Sequence, residues 1–368
     1  MRFNEFRQIE SKNILTEAAK VGREYQHLED LVFIEGSKGA MKAADTLEKL
    51  GGDSSDIAIK WDGYPTMYYG RDEDGTFVLV GKNGWGRNKS TSADDLRNFI
   101  TSTGKGEDWR DRFANEMAGI FDVMESATPQ DFRGYVYGDL LYHPGKPYSE
   151  ADDGVQFTPN KVTYTVNKNS QLGKRIAGSK VGVVVHTKYD EFGGKAGQPI
   201  SDVKELNNED AVVLGQTYVT HQPEVDTSEV NEIRNMAKQN AQVMDQFLAG
   251  QQGLTNVPGI IYTYMNQMSK AQKLGDIENG FFDWLKTSKV SPGQQAKLAQ
   301  MNQDMPKALP AVFGLVKKVM AAKDHIIGQL DDADADVKQS TAGEKGGEGY
   351  VALDTKTKLV PRSRWQPN

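Results

Sequence analysis

The chain has 368 residues, room for two or three domains, and its 26% charged and 38% hydrophobic residues are an ordinary globular balance. It has no cysteine, which excludes disulfides, thiolate catalysis and cysteine-type zinc sites, and its five histidines fall at no metal-ligand spacing. A net charge of −7 argues against a large sequence-independent nucleic-acid surface. No apolar run approaches the roughly 18 residues of a membrane span, and the first residues lack the apolar core of a secretion signal. A cytoplasmic protein with no membrane partner is expected.

Residues 1–52 read as helical. Ile14, Leu15, Ala18, Ala19 and Val21 recur at helical spacing, then Ala40, Met41, Ala43, Ala44, Leu47 and Leu50, before Gly51-Gly52 stops the run. Gly36-Ser37-Lys38-Gly39 lacks phosphate-loop spacing and reads as a turn opening the second helix.

From Asp56 to about Thr220 the pattern turns to short β-rich runs: Thr66 to Tyr69, Phe77 to Val80, Tyr135 to Tyr142, Val162 to Val166, Val181 to Thr187 and Ala211 to Thr220. Helical stretches interrupt at Asp94 to Ser102 and Trp109 to Met124. This predicts an α+β arrangement of antiparallel strands rather than βαβ alternation. The first apolar run, Ile57-Ala58-Ile59, delivers Lys60 to an Asp62-Gly63 turn followed by Tyr64-Pro65. Two readings stand there. A lysine held near other cations loses its proton readily and can attack phosphorus; alternatively, it is a surface lysine on a hairpin turn.

Between about Thr227 and Leu330 the chain is helical again, with apolar stripes at Val230, Ile233, Met236, Val243, Met244, Phe247 and Leu248, and from Val312 to Leu330. Asp331 to Gly347 is acidic, then small and glycine-rich, and reads as a mobile connection to a last strand pair carrying Glu348 and Lys358. Charge is uneven: residues 337–368 hold six basic and three acidic side chains, and Lys82, Arg87 and Lys89 cluster, as do Lys161, Lys168, Lys174, Arg175 and Lys180. A basic cleft on an acidic body would suit a ligand carrying phosphates.

Four short blocks stand in a meaningful order: Lys60-Trp61-Asp62-Gly63, Gly138-Asp139-Leu140, Glu348-Gly349-Tyr350-Val351 and Lys356-Thr357-Lys358, with Gly81-Lys82-Asn83-Gly84 between the first two. The set resembles motifs I, III, IV, V and Ia of the covalent nucleotidyltransferases, which include ATP-dependent DNA and RNA ligases and GTP-dependent mRNA capping enzymes. Glu-Gly-Tyr-Val followed shortly by lysine is most similar to bacteriophage RNA ligases, and such an origin would put the protein in the host cytoplasm.

The resemblance implies an antiparallel-sheet adenylation fold with N-terminal helices (1–52), a core split into 53–222 and 337–368, and a large helical insertion (223–336). It implies an ATP-dependent polynucleotide ligase, RNA before DNA, acting through lysyl-AMP on nucleic acid with 5′-phosphate and 3′-hydroxyl ends. Lys60 would be the nucleophile, Asp62 would shape its turn and Lys358 would contact the α-phosphate, with Lys356 helping. Lys82 and Asn83 would touch ribose or phosphate. Asp139 would contact the ribose or aid metal binding, and Glu348 would bind Mg²⁺ (or Mn²⁺). His186 or Tyr189 would stack on the base in place of the usual aromatic. The chain departs from the pattern at Pro65, where many ligases carry arginine, and at Val360, where a second basic residue is usual although Arg362 and Arg364 follow. Only ten residues follow Lys358, which favours an RNA-ligase-like arrangement over one with a C-terminal OB-fold. Transfer to another acceptor, use of GTP, or a degenerate nucleotide- or nucleic-acid-binding phage protein are the alternatives.

Overall fold

A computed structural model describes residues 26–52, 56–103, 108–200, 202–333 and 335–364. It divides into two compact units, a sheet unit of Ile59–Tyr218 with Asp334–Glu348 and a helical unit of the remainder. The helical periodicity at residues 14–21 lies outside the described residues.

The sheet unit is built on a six-stranded sheet. Its strands run in the order Gln198–Pro199, Val181–Tyr189, Gly134–Tyr142, Thr66–Arg71 and Phe77–Gly81, and Ala211–Leu214 also pairs with Val181–Tyr189. All pairings are antiparallel except Ala211–Leu214, which lies parallel to residues 181–184. Period-two alternation separates the two faces. Met67, Tyr69, Leu79, Val136, Leu140, Val183 and Val185 turn to one face and pack on helices Ala93–Ser102, Asp108–Gly119 and Phe121–Ala127 through Leu96, Ile100, Met117, Phe121 and Met124. Burying each of these large side chains contributes roughly 1.5–3 kcal/mol. Thr66, Tyr68, Tyr135, Tyr137 and Asp139 belong to the other face, where Tyr68 stacks on Trp85 with ring centroids 4.2 Å apart.

A second, five-stranded antiparallel sheet completes the unit, in the order Glu344–Lys345, Val337–Thr341, Val162–Asn167, Gly154–Phe157 and Ser149–Ala151. The expectation of a mobile connection from 331 to 347 is therefore corrected. Asp331 and Asp332 end a helix, and Val337–Thr341 pairs residue by residue with Val162–Val166 before turning into a hairpin.

In the helical unit, Gly36–Gly52 opens at the expected glycine-rich turn, where Ser37 donates its hydroxyl to Asp245 at 2.7 Å. Thr227–Ala249 is capped by the Asp226 side chain on Ser228 N–H and is closed by Gly250 at φ 74. Val257–Lys270, Ile277–Thr287, Pro292–Asp304 and Ala308–Asp332 follow. A small sheet joins strands in the order Gln26–His27, Thr357–Leu359, Tyr350–Ala352 and Ile57–Ile59. The contact boundary falls between Glu348 and Gly349, so the last strand pair groups with the helices instead of with the sheet core expected to own it.

The helical unit buries a network of charge. Lys323 Nζ lies 2.7 Å from Glu29 Oε2, and Arg362 bonds Asp30, Glu29 (3.3 Å) and Asn266 (2.9 Å), with Lys323, Glu29 and Arg362 wholly buried. Burial pushes the Glu29 carboxyl up, but Lys323, His27 and Arg362 together bring it down to about 2.

Candidate active site

The chain enters the sheet unit at Ile59, whose N–H donates to the Thr217 carbonyl at 2.8 Å, and Lys60 follows at once. Three contacts fix the turn after it. Trp61 is buried against Tyr164 (4.6 Å between ring centroids) and Phe157 (6.1 Å), and its indole N–H donates to Thr217 Oγ1 at 3.1 Å. The Asp62 backbone N–H donates to the Tyr164 hydroxyl at 2.6 Å, and that hydroxyl lies 3.5 Å from the Lys60 carbonyl oxygen. Tyr64 N–H donates to Leu140 O and Leu140 N–H to Pro65 O, each at 2.9 Å. Gly63 is needed for this approach, since a Cβ there would stand 2.5 Å from Asp139 Cβ. Asp62 itself faces Asn160, whose amide donates to Oδ1 at 3.2 Å. The turn is thus clamped between the two sheets of the unit.

Glu348 comes to the same place from the far end of the sequence. After the hairpin, Gly346 N–H donates to Gln339 O at 2.9 Å, and a Cβ on Gly347 would collide with the Gln339 side chain at 2.2 Å. The next residue puts Glu348 Oε1 2.5 Å from Lys60 Nζ, both side chains roughly a quarter exposed. The partner of Lys60 is therefore a carboxylate, not the group of cations invoked from the sequence.

Asp139 lies on the same sheet face as Thr66 and is held at both oxygens. Thr66 Oγ1 donates to Oδ1 at 2.8 Å, and His186 Nε2 lies 3.1 Å from Oδ2. A β-bulge makes the second contact. Tyr137 pairs with Thr187 and Gly138 with Val185, so His186 is the extra residue between them. Gly138 permits this close approach, because a Cβ there would meet Val184 O at 2.2 Å. Electrostatics ties the groups together: burial pushes the Tyr164 phenol well above its ordinary range, the Asp62 N–H opposes this, and the charges of Asp62, Glu348 and Asp139 push it further. Three carboxylates thus act on one hydroxyl that touches the Lys60 turn.

The other expected site residues have surroundings of their own. Lys82 and Asn83 are exposed on the turn after Phe77–Gly81, which folds Gly84 N–H onto Gly81 O and carries Trp85 onto Tyr68. Tyr189 faces Trp85 at 5.3 Å, in an aromatic cluster with Phe192. Lys356 and Lys358 belong to the helical unit. Lys358 pairs across strands with Val351 and His27, while Lys356 sits in a turn at φ 50, beside a cavity of about 490 Å³ that Lys42 and Lys49 line together with Glu35, Asp45 and Asp354. Arg362 and Arg364, considered as the second basic residue of motif V, are spent on Asp30, Glu29 and Asp331.

Among the described residues, no three His, Asp or Glu side chains gather closely enough to hold a metal ion. Glu348 would offer a metal ion a single carboxylate, leaving the rest of a hard cation's oxygen shell to non-protein ligands. Asp139, expected to help with the metal, has both oxygens engaged by Thr66 and His186. Tyr164, Thr66 and Gln339 escaped the sequence reading. Tyr164 had a signal in the alternation of Val162 to Val166, whereas Gln339 had none. Gln339 is buried with neither atom of its amide hydrogen-bonded, directly across the strand pair from Tyr164.

The family model that matches this chain covers residues 24–366. The chain belongs to DUF6267, a family of unknown function. No curated protein and no solved structure matches it. Among the described residues of this DUF6267 chain, no helix is long and apolar enough to cross a membrane.

Proposed function

We propose that the sheet unit is the adenylation core of an ATP-dependent polynucleotide ligase, RNA before DNA, in which Lys60 carries AMP. The observation that supports this most is the Lys60–Glu348 pair at 2.5 Å, formed by the residue the resemblance names as nucleophile and the carboxylate it names as metal-binding. Nothing local in the sequence requires those side chains to meet.

In this reading Lys60 Nζ attacks the α-phosphorus of ATP, a P–N bond forms, and the bond to the bridging oxygen breaks as pyrophosphate leaves with the electron pair. Glu348 stands at hydrogen-bond distance to take the proton the amine gives up. The Trp61–Tyr164 clamp holds the amine on a fixed backbone, which is what in-line displacement demands. Mg²⁺, when bound, would neutralise charge on the phosphates beside Glu348. The adenylate then passes to a 5′-phosphate, and a 3′-hydroxyl displaces AMP.

Incubation with α-labelled ATP and Mg²⁺ tests the reading: wild-type protein gains covalent label and Lys60→Ala does not. Folded protein that takes no label from ATP or GTP defeats it. A second reading has one observation in its favour. Pro65 stands where many ligases place arginine, and its carbonyl is used in strand pairing. A nucleotide-binding protein without chemistry would bind ATP and remain unlabelled.

A further inference from the structure

We infer that the cavity of about 490 Å³ in the helical unit binds a small ligand through a phosphate group, which Lys356 holds. Every residue lining it belongs to that unit, and the inference does not depend on the ligase reading. Its volume is in the range of small-molecule sites.

The backbone at Lys356 is the first reason. Lys356 ends the loop 353–356 that joins Tyr350–Ala352 to Thr357–Leu359, and its φ of 50 lies in the left-handed region that glycine and asparagine occupy at least cost. Neighbours fix it there. Lys356 N–H donates to Leu353 O at 3.1 Å, and Lys356 O accepts from Gln26 N–H at 3.2 Å. Those bonds use the main chain alone, so glycine would make the same turn with less strain. Strained positions cluster where a ligand is clamped. The loop thus keeps a lysine where the fold by itself favours another residue.

Charge is the second. Three lysines and three acids line the cavity, but they are not equivalent. Glu35 has Lys42 at 3.2 Å, Asp354 has Lys49 at 2.6 Å, and Asp45 has Arg234 at 2.7 Å. Each acid therefore has a cation beside it. Lys356 is exposed, and among the described residues no carboxylate pairs with it. The Lys42 and Lys49 pairs are open to solvent, with 58% and 50% of the lysine side chains exposed, so both are held weakly and can turn to an anion that Lys356 captures. Lysine is a compact charge with three N–H donors, which suits phosphate oxygens. Of the described lining residues only Leu31 is apolar, which leaves little for an apolar ligand to bury against.

The test is titration with inorganic phosphate, read by calorimetry and by protection of individual lysines from acetylation. All proteins carry Lys60→Ala, so that this lysine contributes no phosphate contact. Phosphate should saturate one site and slow acetylation of Lys42, Lys49 and Lys356 while leaving Lys286 unaffected. Ribose 5-phosphate in place of phosphate separates the sources: tighter binding assigns a phosphate ester, weaker binding assigns free phosphate. Lys356→Gly should weaken binding roughly tenfold or more and should melt no lower than its parent, because the turn is relieved. Lys356→Asn, which also tolerates this turn, should behave alike. Lys286→Ala removes the same charge elsewhere in the unit and should bind within twofold of the parent. Absence of saturation in the millimolar range, binding by both Lys356 variants within twofold of the parent, or an equal loss in Lys286→Ala overturns the inference. So does a lower melting temperature for both Lys356 variants, since the lysine would then serve the fold.

Discussion

The two units each contain a lysine–glutamate pair of nearly equal length, and the pairs differ in burial. Lys60–Glu348 spans 2.5 Å at the edge of the sheets with about a quarter of each side chain exposed; Lys323–Glu29 spans 2.7 Å with no exposure at all. The buried pair has a further partner, since Arg362 also donates to Glu29 and is itself held by Asp30 and Asn266. It is part of the architecture of the helical unit, tying Arg362, which follows the last strand, to Glu29 and Asp30 and, through Lys323, to Ala308–Asp332. The Lys60–Glu348 pair is partly open to solvent and stands beside the Trp61–Tyr164 clamp. Breaking it leaves charges that solvent can reach. Distance alone does not separate a structural ion pair from a poised one; burial and the remaining partners do.

The largest effect should follow from breaking the buried network. Arg362→Ala leaves Asp30 without its guanidinium and Glu29 with one cation fewer, and removing one partner of a buried pair costs about 3–5 kcal/mol. Urea unfolding should register this as a fall in midpoint with little change in slope. A loss below about 1 kcal/mol would mean that the network is hydrated in solution and that the contrast between the pairs is wrong.

Next in size is Asp324, beside Lys323. Burial pushes its carboxyl up to about 6, and Oδ1 is buried without a hydrogen-bond partner. The folded state therefore holds this proton more tightly than the unfolded chain does. Its contribution is most favourable below about pH 4 and is lost as pH rises through 6, at up to about 3 kcal/mol for a shift near two units. Asp324→Asn should accordingly raise thermal stability at pH 7, and the gain should vanish below pH 4. Glu29 acts in the opposite sense: with its carboxyl held near 2, the stability it supplies is present above about 4.5 and disappears as pH falls through 2.

Much of this arrangement was legible before any coordinates. The run Ile57-Ala58-Ile59 and the Asp62-Gly63 turn announce a lysine delivered by a strand, and the main strands and the two long apolar stripes lie where periodicity puts them. What escaped depends on distant partners. Val337–Thr341 has one large apolar residue and reads as a loop; only its pairing with Val162–Val166 makes it a strand. Gln171–Gly178 contains two glycines that weaken any helical signal, yet Gly173 is what lets the helix sit on Asn167 O, where a Cβ would come within 2.1 Å. The role of Arg362 could not be read locally either, because a basic residue near motif V looks the same whether it faces phosphate or buried aspartate.

Gln339 sharpens the comparison from the side of the sheet unit. Its amide is buried and has no hydrogen bond, directly across from Tyr164 and beneath the Gly347 backbone that carries Glu348. An unsatisfied buried polar group costs about 1–3 kcal/mol, so Gln339→Leu, of similar volume, should stabilise the fold by about 1–2 kcal/mol. A rise in melting temperature together with weaker ATP labelling would mark the amide as kept for function. A fall in melting temperature would mean that the amide has a partner in solution.

The smallest stability effect should come from the exposed pair, and there the small number is the informative one. A partly exposed ion pair gains little over its solvated halves, so Lys60→Ala and Glu348→Ala should each shift stability by less than about 1 kcal/mol, with a coupling energy of about 0.2–1 kcal/mol in a double-mutant cycle. The same substitutions should abolish or severely reduce ATP labelling. A coupling of several kcal/mol would place Lys60–Glu348 in the same class as Lys323–Glu29, a structural peg, and would remove the strongest support for a lysine nucleophile. Weak coupling with lost labelling is the signature of two groups held close for a ligand that joins them, because the energy the pair forgoes in the free protein is then available to the nucleotide.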